Sequence, residues 1–252
     1  MSLQFIIGNS GAGKSGTAYE NIIREASANP DRLYYVIVPE QFTMQTQKTL
    51  VEMHPDGGIL NIDILSFERL AYRVFEEVGG DTRRIMEETG KNMVLQKLVQ
   101  MNQKDLVYLR NQMKKPGYLD EVKSLISEFM QYEIKEEELD EMIRESEDKT
   151  LLQMKLQDVK VLYQAFREYL SGHFMTAEEV LEVLAKEIQF SEKLKGSVLL
   201  LDGYTGFTPV QLEVLRELLA VCERVSVTVT MDVREQFLAM GKPHELFYMS
   251  HK

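Results

Sequence analysis

The feature that most constrains this chain is a glycine-rich octapeptide close to its amino terminus. An apolar run at residues 3–7 precedes it and predicts a β-strand, and residues 16–25 follow it with apolar side chains at helical spacing. The segment therefore predicts a strand, a tight turn and a helix, in that order. The octapeptide fits the pattern G-x-x-x-x-G-K-[ST] and consists of Gly8, Asn9, Ser10, Gly11, Ala12, Gly13, Lys14 and Ser15.

A strand, a glycine turn and a helix amino terminus together form a site for phosphate. Glycines allow backbone N–H groups to close around phosphate oxygens, and the helix dipole adds partial positive charge. The ammonium of Lys14 would contact the β- and γ-phosphates of a nucleotide, and the Ser15 hydroxyl would bind Mg²⁺. We therefore expect ATP and Mg²⁺ to bind at residues 8–15. The alternative is a glycine-rich turn that binds nothing.

A second segment predicts a carboxylate next to this loop. Residues 198–201 form an apolar run that ends in Asp202, and a carboxylate in this position would hold Mg²⁺ together with Ser15. The alternative is an aspartate that only caps the end of a strand. Many P-loop ATPases carry a glutamate directly after this aspartate, where it orients and deprotonates the attacking water, but this chain has Gly203. We therefore expect no catalytic residue here, and weak or absent hydrolysis.

Short apolar runs also predict the fold class. Residues 4–7, 34–38, 61–65, 197–201 and 225–230 each read as a strand buried on both faces, as in parallel sheets. Helical patterns lie between the first three runs, which is the rhythm of βαβ units. The sequence therefore predicts an α/β protein with a P-loop NTPase (RecA-like) parallel sheet.

This rhythm stops in the middle of the chain, where residues 86–194 read almost entirely as helix without a convincing strand. We expect a P-loop core in two parts, residues 1–85 and 196–252, with a helical insertion subdomain at residues 86–195. The last residues follow the final predicted strand closely, so we expect the chain to be an amino-terminal fragment of a longer protein.

Composition narrows the function classes. No stretch approaches the roughly 20 apolar residues that span a bilayer, and no basic region of a signal peptide is visible, so we expect a cytoplasmic protein without a membrane partner. Cys222 is the single cysteine, which excludes a disulfide framework and a cysteine-rich metal cluster within these 252 residues. A net charge of −11 argues against an isolated basic nucleic-acid-binding body, although one basic face remains compatible with it.

Four segments in this order resemble the first motor-like domain of superfamily 1 helicases. They are residues 8–15, residues 38–43 (VPEQFT), residues 65–70 (LSFERL) and residues 201–211 (LDGYTGFTPVQ). They are most similar to the amino-terminal domain in the B-subunit family of the AddAB helicase–nucleases, the ATP-dependent deoxyribonucleases of Gram-positive bacteria. The similarity covers essentially the whole chain. Helicases of this superfamily normally read D-E-x-Q-D where this chain has Asp202 and Gly203, which agrees with a B subunit that is not the translocating motor.

The resemblance implies a function for the whole protein. It implies an ATP-binding helicase-like domain in a heterodimer that processes DNA double-strand breaks for recombinational repair. The partner A subunit would supply the ATP-driven motor and one nuclease. The B subunit would scan the 3′ strand for a recombination hotspot and carry a carboxy-terminal nuclease with an iron–sulfur cluster. That cluster belongs to the full-length family member and not to this chain, since only Cys222 is present.

The resemblance also implies contacts with DNA. Residues 39–43 and 66–69 match motifs that line the DNA path in active helicases, and the alternative for the serine at position 66 is a helix cap. Because a complete motor needs a second RecA-like domain, we expect the isolated chain not to unwind DNA. The candidate DNA-path residues are Gln41, Thr43, Ser66 and Arg69.

Two other functions stay open at this point. A vestigial P-loop that serves only as a structural module would bind no nucleotide, and the sequence does not separate it from a nucleotide-binding domain. A small P-loop kinase would need an arginine-rich lid over the phosphates, whereas the insertion is acidic and its basic pairs are isolated.

Overall fold

The computed structural model describes residues 2–79, 83–112, 115, 117–171 and 174–231. The chain divides into two compact units, Met1–Gly80 with Leu181–Lys252, and Asp81–Val180. The part of the predicted core at residues 232–252 lies outside the described residues.

Helices and strands alternate in the first unit, whereas helices dominate the second. In chain order the elements are β1 (Ser2–Gly8), α1 (Lys14–Ala28), β2 (Tyr34–Ile37), a 3-10 helix (Glu40–Phe42), α2 (Thr43–Met53), β3 (Ile62–Leu65), α3 (Phe67–Val78), β4 (Arg84–Ile85), α4 (Glu88–Met101), α5 (Leu109–Gln112), α6 (Tyr118–Gln131), α7 (Glu136–Glu145), α8 (Thr150–Leu170), β5 (Phe174–Met175), α9 (Ala177–Glu187), a second 3-10 helix (Ile188–Phe190), β6 (Val198–Leu201), α10 (Pro209–Val221) and β7 (Arg224–Thr230).

The first unit is built on a sheet whose five described strands are all parallel, in the order β1-β7-β6-β2-β3. In register, Val36 of β2 lies between Ile64 of β3 and Leu200 of β6. All five predicted strands are present within two residues of their expected bounds. This confirms the predicted α/β class with a parallel sheet, and the topology agrees with a P-loop, RecA-like fold.

Burial on both faces explains why these strands read as continuous apolar runs. Every residue of β2 and β6 is buried, because helices cover both sides of the sheet centre. One core cluster joins the apolar stripe of α1 to alternate residues of the strands. Its buried members are Ala18, Tyr19, Ile22, Ile23, Ala26, Tyr34, Val36, Val38, Leu50, Ile62, Val198 and Leu200.

The second unit has its own helical core. Helix α4 packs against α6 and α8, and α7 packs against α8, around side chains such as Leu95, Leu162 and Phe166 that are almost inaccessible to solvent. The expectation that this region holds no strand was wrong in one detail, because β4 and β5 form a parallel pair through Ile85 and Met175. Strands of two residues are too short to give a periodic signal.

A buried carboxylate fixes one turn of this second unit. Asp158 on α8 is 1% exposed and accepts hydrogen bonds from the backbone N–H groups of Val107, Tyr108 and Leu109, at 2.9, 2.7 and 2.6 Å. These donors precede or begin α5, where backbone N–H groups have no partner within the helix. The aspartate therefore anchors the loop before α5 to the middle of α8.

No helix among the described residues is both long enough and apolar enough to cross a membrane.

Candidate nucleotide-binding site

The glycine-rich octapeptide forms the connection between β1 and α1. Gly13 is the residue before the helix and has a φ of 81°, a left-handed conformation that glycine adopts without strain. The turn is closed by a hydrogen bond from the Ala12 N–H to the Asn9 carbonyl at 3.1 Å. The side chains of residues 9–13 are exposed, so the loop is open to a ligand.

Lys14 begins α1 and folds back over this loop. Its ammonium donates a hydrogen bond to the carbonyl oxygen of Asn9 at 2.8 Å, on the exposed side of the turn. The positive charge therefore lies beside the loop and the amino terminus of a 15-residue helix, where the helix dipole also favours an anion.

Asp202 lies at the end of β6, next to the loop. Its backbone N–H donates to the Ile37 carbonyl at 3.0 Å, so the residue continues the hydrogen-bond ladder of the sheet. Its carboxylate oxygen Oδ1 accepts a hydrogen bond from the Ser15 hydroxyl at 2.9 Å, although the two residues are 187 positions apart. The structure therefore brings together the two residues for which the sequence predicts a shared magnesium ion.

Two further hydroxyls hold the same carboxylate, and sequence reasoning did not identify either. The Thr228 hydroxyl of β7 donates to Oδ1 of Asp202 at 2.6 Å, and the Tyr19 hydroxyl of α1 donates to Oδ2 at 2.5 Å. All three side chains are 5–6% exposed. The local sequence signal for Tyr19 was a hydroxyl-bearing side chain on the apolar face of α1, one turn after Ser15.

Tyr19 is a donor that keeps its proton. Burial, and then the hydrogen bond and negative charge of Asp202, raise the pKa of the Tyr19 hydroxyl well above its ordinary value.

The residue after Asp202 offers no side chain. Gly203 has a φ of 80°, a left-handed conformation. A Cβ atom there would lie 3.6 Å from Cδ of Pro39 and 3.8 Å from a ring carbon of Phe42, which is ordinary contact. The backbone conformation, rather than a lack of space, therefore makes this position unfavourable for a glutamate.

The four candidate DNA-path residues lie at the ends of β2 and β3, at the same edge of the sheet as the loop. The hydroxyl of Thr43 donates to the Glu40 carbonyl at 2.9 Å, and Ser66 caps α3 by accepting from the Arg69 N–H at 3.3 Å. Both of these side chains are buried, so the predicted cap at Ser66 is present. Gln41 and Arg69 are exposed, and Arg69 forms an ion pair with Glu40 at 3.0 Å.

Aromatic packing orders the segment that follows Gly203. The ring of Phe67, at the start of α3, lies 5.5 Å from the ring of Tyr204 and 6.5 Å from that of Phe207. Burial, and secondarily the charge of Glu40, raise the pKa of the Tyr204 hydroxyl well above its ordinary value. This cluster fixes the chain between Asp202 and α10 against the third strand–helix unit.

Comparisons with known proteins identify the family to which this chain belongs. The sequence model of the family described as "ADDB, N-terminal" matches residues 5–252. The B subunit of the ATP-dependent helicase/deoxyribonuclease of Lachnoclostridium phytofermentans is 46% identical over 252 residues, which is 100% of this chain and 22% of that protein. Proteins with the same description are 35% identical over 252 residues in Alkaliphilus metalliredigens (100% of this chain, 22% of that protein) and 36% identical over 231 residues in Clostridium tetani (91% of this chain, 20% of that protein). The chain therefore spans about a fifth of the length of these curated relatives.

Proposed function

The chain belongs to the ADDB N-terminal family, and we propose that its first unit is a helicase-like domain that binds ATP with Mg²⁺ at residues 8–15 and hydrolyses it weakly or not at all. The observation that carries this proposal is the 2.9 Å hydrogen bond between Ser15 and Asp202. It unites the loop hydroxyl with the strand-end carboxylate at the amino terminus of α1.

The residues present fit both groups. Exposed backbone at residues 9–13 and the helix amino terminus would hold the phosphates, and Lys14 would exchange the Asn9 carbonyl for a phosphate oxygen. Mg²⁺ prefers oxygen ligands and is usually held by one or two carboxylates together with substrate phosphates, as Ser15 and Asp202 would allow. When bound, it neutralises charge on the phosphates.

Slow hydrolysis follows from the position after Asp202. The attacking water would need a base within hydrogen-bond reach, and Gly203 supplies none. Glu40 lies at the same edge of the sheet, but its carboxylate is engaged by Arg69.

For the whole protein, the relatives whose names describe the B subunit of a helicase/deoxyribonuclease suggest a larger assembly. We infer that the longer protein pairs with an A subunit, which supplies the motor, in a cytoplasmic heterodimer that processes DNA double-strand breaks for recombinational repair. Exposed Gln41 and Arg69 are the best-placed DNA contacts, whereas Thr43 and Ser66 would act by shaping the two turns. The family's iron–sulfur cluster and nuclease would belong to residues outside this chain.

A second candidate is a structural module with a vestigial P-loop. Lys14 and Asp202 form hydrogen bonds with other residues of the chain, as a purely structural role would require. The two candidates differ in nucleotide affinity alone.

Titration with a fluorescent ATP analogue and Mg²⁺ separates them. We expect saturable binding by the parent chain and a loss of affinity of about tenfold or more in Lys14→Ala, because a hydrogen bond to a charged group contributes about 1.5–3 kcal/mol. Lys48→Ala is the matched control, since Lys48 is exposed on α2. Equal affinity in the parent and in Lys14→Ala would exclude the nucleotide role, and rapid Lys14-dependent phosphate release would contradict weak hydrolysis.

A further inference from the structure

The carboxylate of Asp202 is largely occupied by hydroxyl groups of the protein itself. Ser15 and Thr228 donate to Oδ1, and Tyr19 donates to Oδ2. A carboxylate offers about four lone-pair positions. Three hydroxyl donors therefore leave one position, on Oδ2, for any further partner.

The three donors are not equivalent with respect to a metal ion. A Ser15 hydroxyl can donate its proton to Asp202 while its lone pairs bind Mg²⁺, so this contact is compatible with the metal. The Tyr19 hydroxyl instead occupies one of the two positions on Oδ2, the oxygen to which Ser15 does not donate. This donor therefore competes with a metal ion for the lone pairs of that oxygen.

Tyr19 is held in this role by burial and by the hydrogen bond itself. Its side chain is 6% exposed on α1, one turn after Ser15, so it cannot turn towards solvent without leaving the core. A hydroxyl has only one proton, and the 2.5 Å hydrogen bond directs it at Oδ2 of Asp202.

We propose that Tyr19 is a positioning residue that weakens the coupling between Mg²⁺ and nucleotide, because its hydroxyl takes up one of the two positions on Oδ2 of Asp202. This inference rests on the proposed nucleotide site. It makes the site stable without a metal ion and gives it a modest Mg²⁺ dependence, as suits a domain that holds a nucleotide and does not turn it over.

The test compares Tyr19→Phe with a matched loss of a buried hydroxyl. Tyr34→Phe is the control, because the Tyr34 hydroxyl is buried on β2 and has no hydrogen-bond partner among the residues that the structure describes. For each protein the dissociation constant of the fluorescent ATP analogue is measured with Mg²⁺ and with EDTA, and the ratio of the EDTA value to the Mg²⁺ value defines the coupling. Thermal unfolding of each ligand-free protein is measured in parallel.

We expect the coupling to rise about tenfold in Tyr19→Phe, equivalent to ~1.4 kcal/mol, and the ligand-free protein to unfold at a lower temperature. Tyr34→Phe should leave the coupling unchanged and should not lower the unfolding temperature. Unchanged or lower coupling in Tyr19→Phe, with binding intact in the parent, would overturn this inference and leave the nucleotide site standing. Absence of binding by the parent chain would overturn both.

A second variant covers a folding failure of Tyr19→Phe. Tyr19→Met also removes the hydroxyl and fills the buried position with a flexible apolar side chain, so the coupling should again rise. Unchanged coupling in a folded Tyr19→Met variant would then overturn the role of the Tyr19 hydroxyl.

Discussion

Replacing Gly203 with alanine should destabilise the first unit through its backbone conformation. The φ of 80° is left-handed, which costs a residue with a Cβ atom about 1–2 kcal/mol. The atoms nearest to the new Cβ atom would be 3.6 and 3.8 Å away, so steric overlap adds nothing to this cost. Alanine also restricts the unfolded chain, which returns about 0.4–1 kcal/mol. The net loss in the free energy of unfolding is therefore about 1 kcal/mol.

Chemical denaturation followed by far-ultraviolet circular dichroism measures this loss, since the chain contains no tryptophan. Gly58→Ala is the control, because Gly58 has no left-handed φ and a Cβ atom there would meet nothing within 4 Å. We expect Gly58→Ala to be as stable as the parent or slightly more stable. A Gly203→Ala variant as stable as the parent would show that the left-handed backbone at this position carries no such cost.

The same argument applies to restoring the missing carboxylate. Gly203→Glu should lose a similar free energy of unfolding and gain no phosphate release, because the strained backbone does not fix the new side chain against an attacking water. Phosphate release from ATP is measured on the same Gly203→Glu protein that is used for denaturation. Faster release than from the parent would contradict this prediction.

Three further predictions concern stability and reactivity. Asp158→Ala leaves three backbone N–H groups without their acceptor, so it should lower the free energy of unfolding by about 3 kcal/mol in chemical denaturation. Burial raises the pKa of the Cys222 thiol to about 11, so a chromogenic disulfide reagent should react with it only as the protein unfolds, and rapid reaction of the native chain would contradict this. Burial raises the pKa of Glu77, but hydrogen bonds from the Ser191 hydroxyl and the Lys193 N–H outweigh it and lower the pKa below its ordinary value. The parent should therefore have a larger free energy of unfolding than Glu77→Gln at neutral pH. This difference should disappear as the pH falls below about 4, in denaturation curves measured across that range.

Local sequence patterns predicted much of this molecule. Apolar runs located the five strands that the structure describes in the sheet, because strands buried on both faces carry few polar residues. The spacing within residues 8–15 predicted the turn between β1 and α1, since a left-handed position such as Gly13 needs glycine. These features depend on neighbouring residues in the chain, and a sequence contains that information directly.

Contacts between distant segments could not be predicted in the same way. Tyr19 and Thr228 reach Asp202 from different elements, and Tyr19 is 183 positions away from it. The ion pair between Glu40 and Arg69 likewise joins two turns that are distant in the sequence. No local spacing specifies such pairs, because the parallel order of the strands decides which residues meet. The sequence therefore predicted the shared position of Ser15 and Asp202, but not the hydroxyls that hold the carboxylate.

A single-turnover measurement decides whether this domain holds ATP and hydrolyses it weakly or not at all. The chain is mixed in excess with ATP labelled in its γ-phosphate and with Mg²⁺, and samples are quenched and separated at intervals, with Lys14→Ala as the unbound reference. We predict that the label is protein-bound in the parent and free in Lys14→Ala, and that nearly all of it is still intact ATP at the end of the experiment. Rapid conversion to labelled phosphate in the parent, absent in Lys14→Ala, would show instead that the domain is an active ATPase.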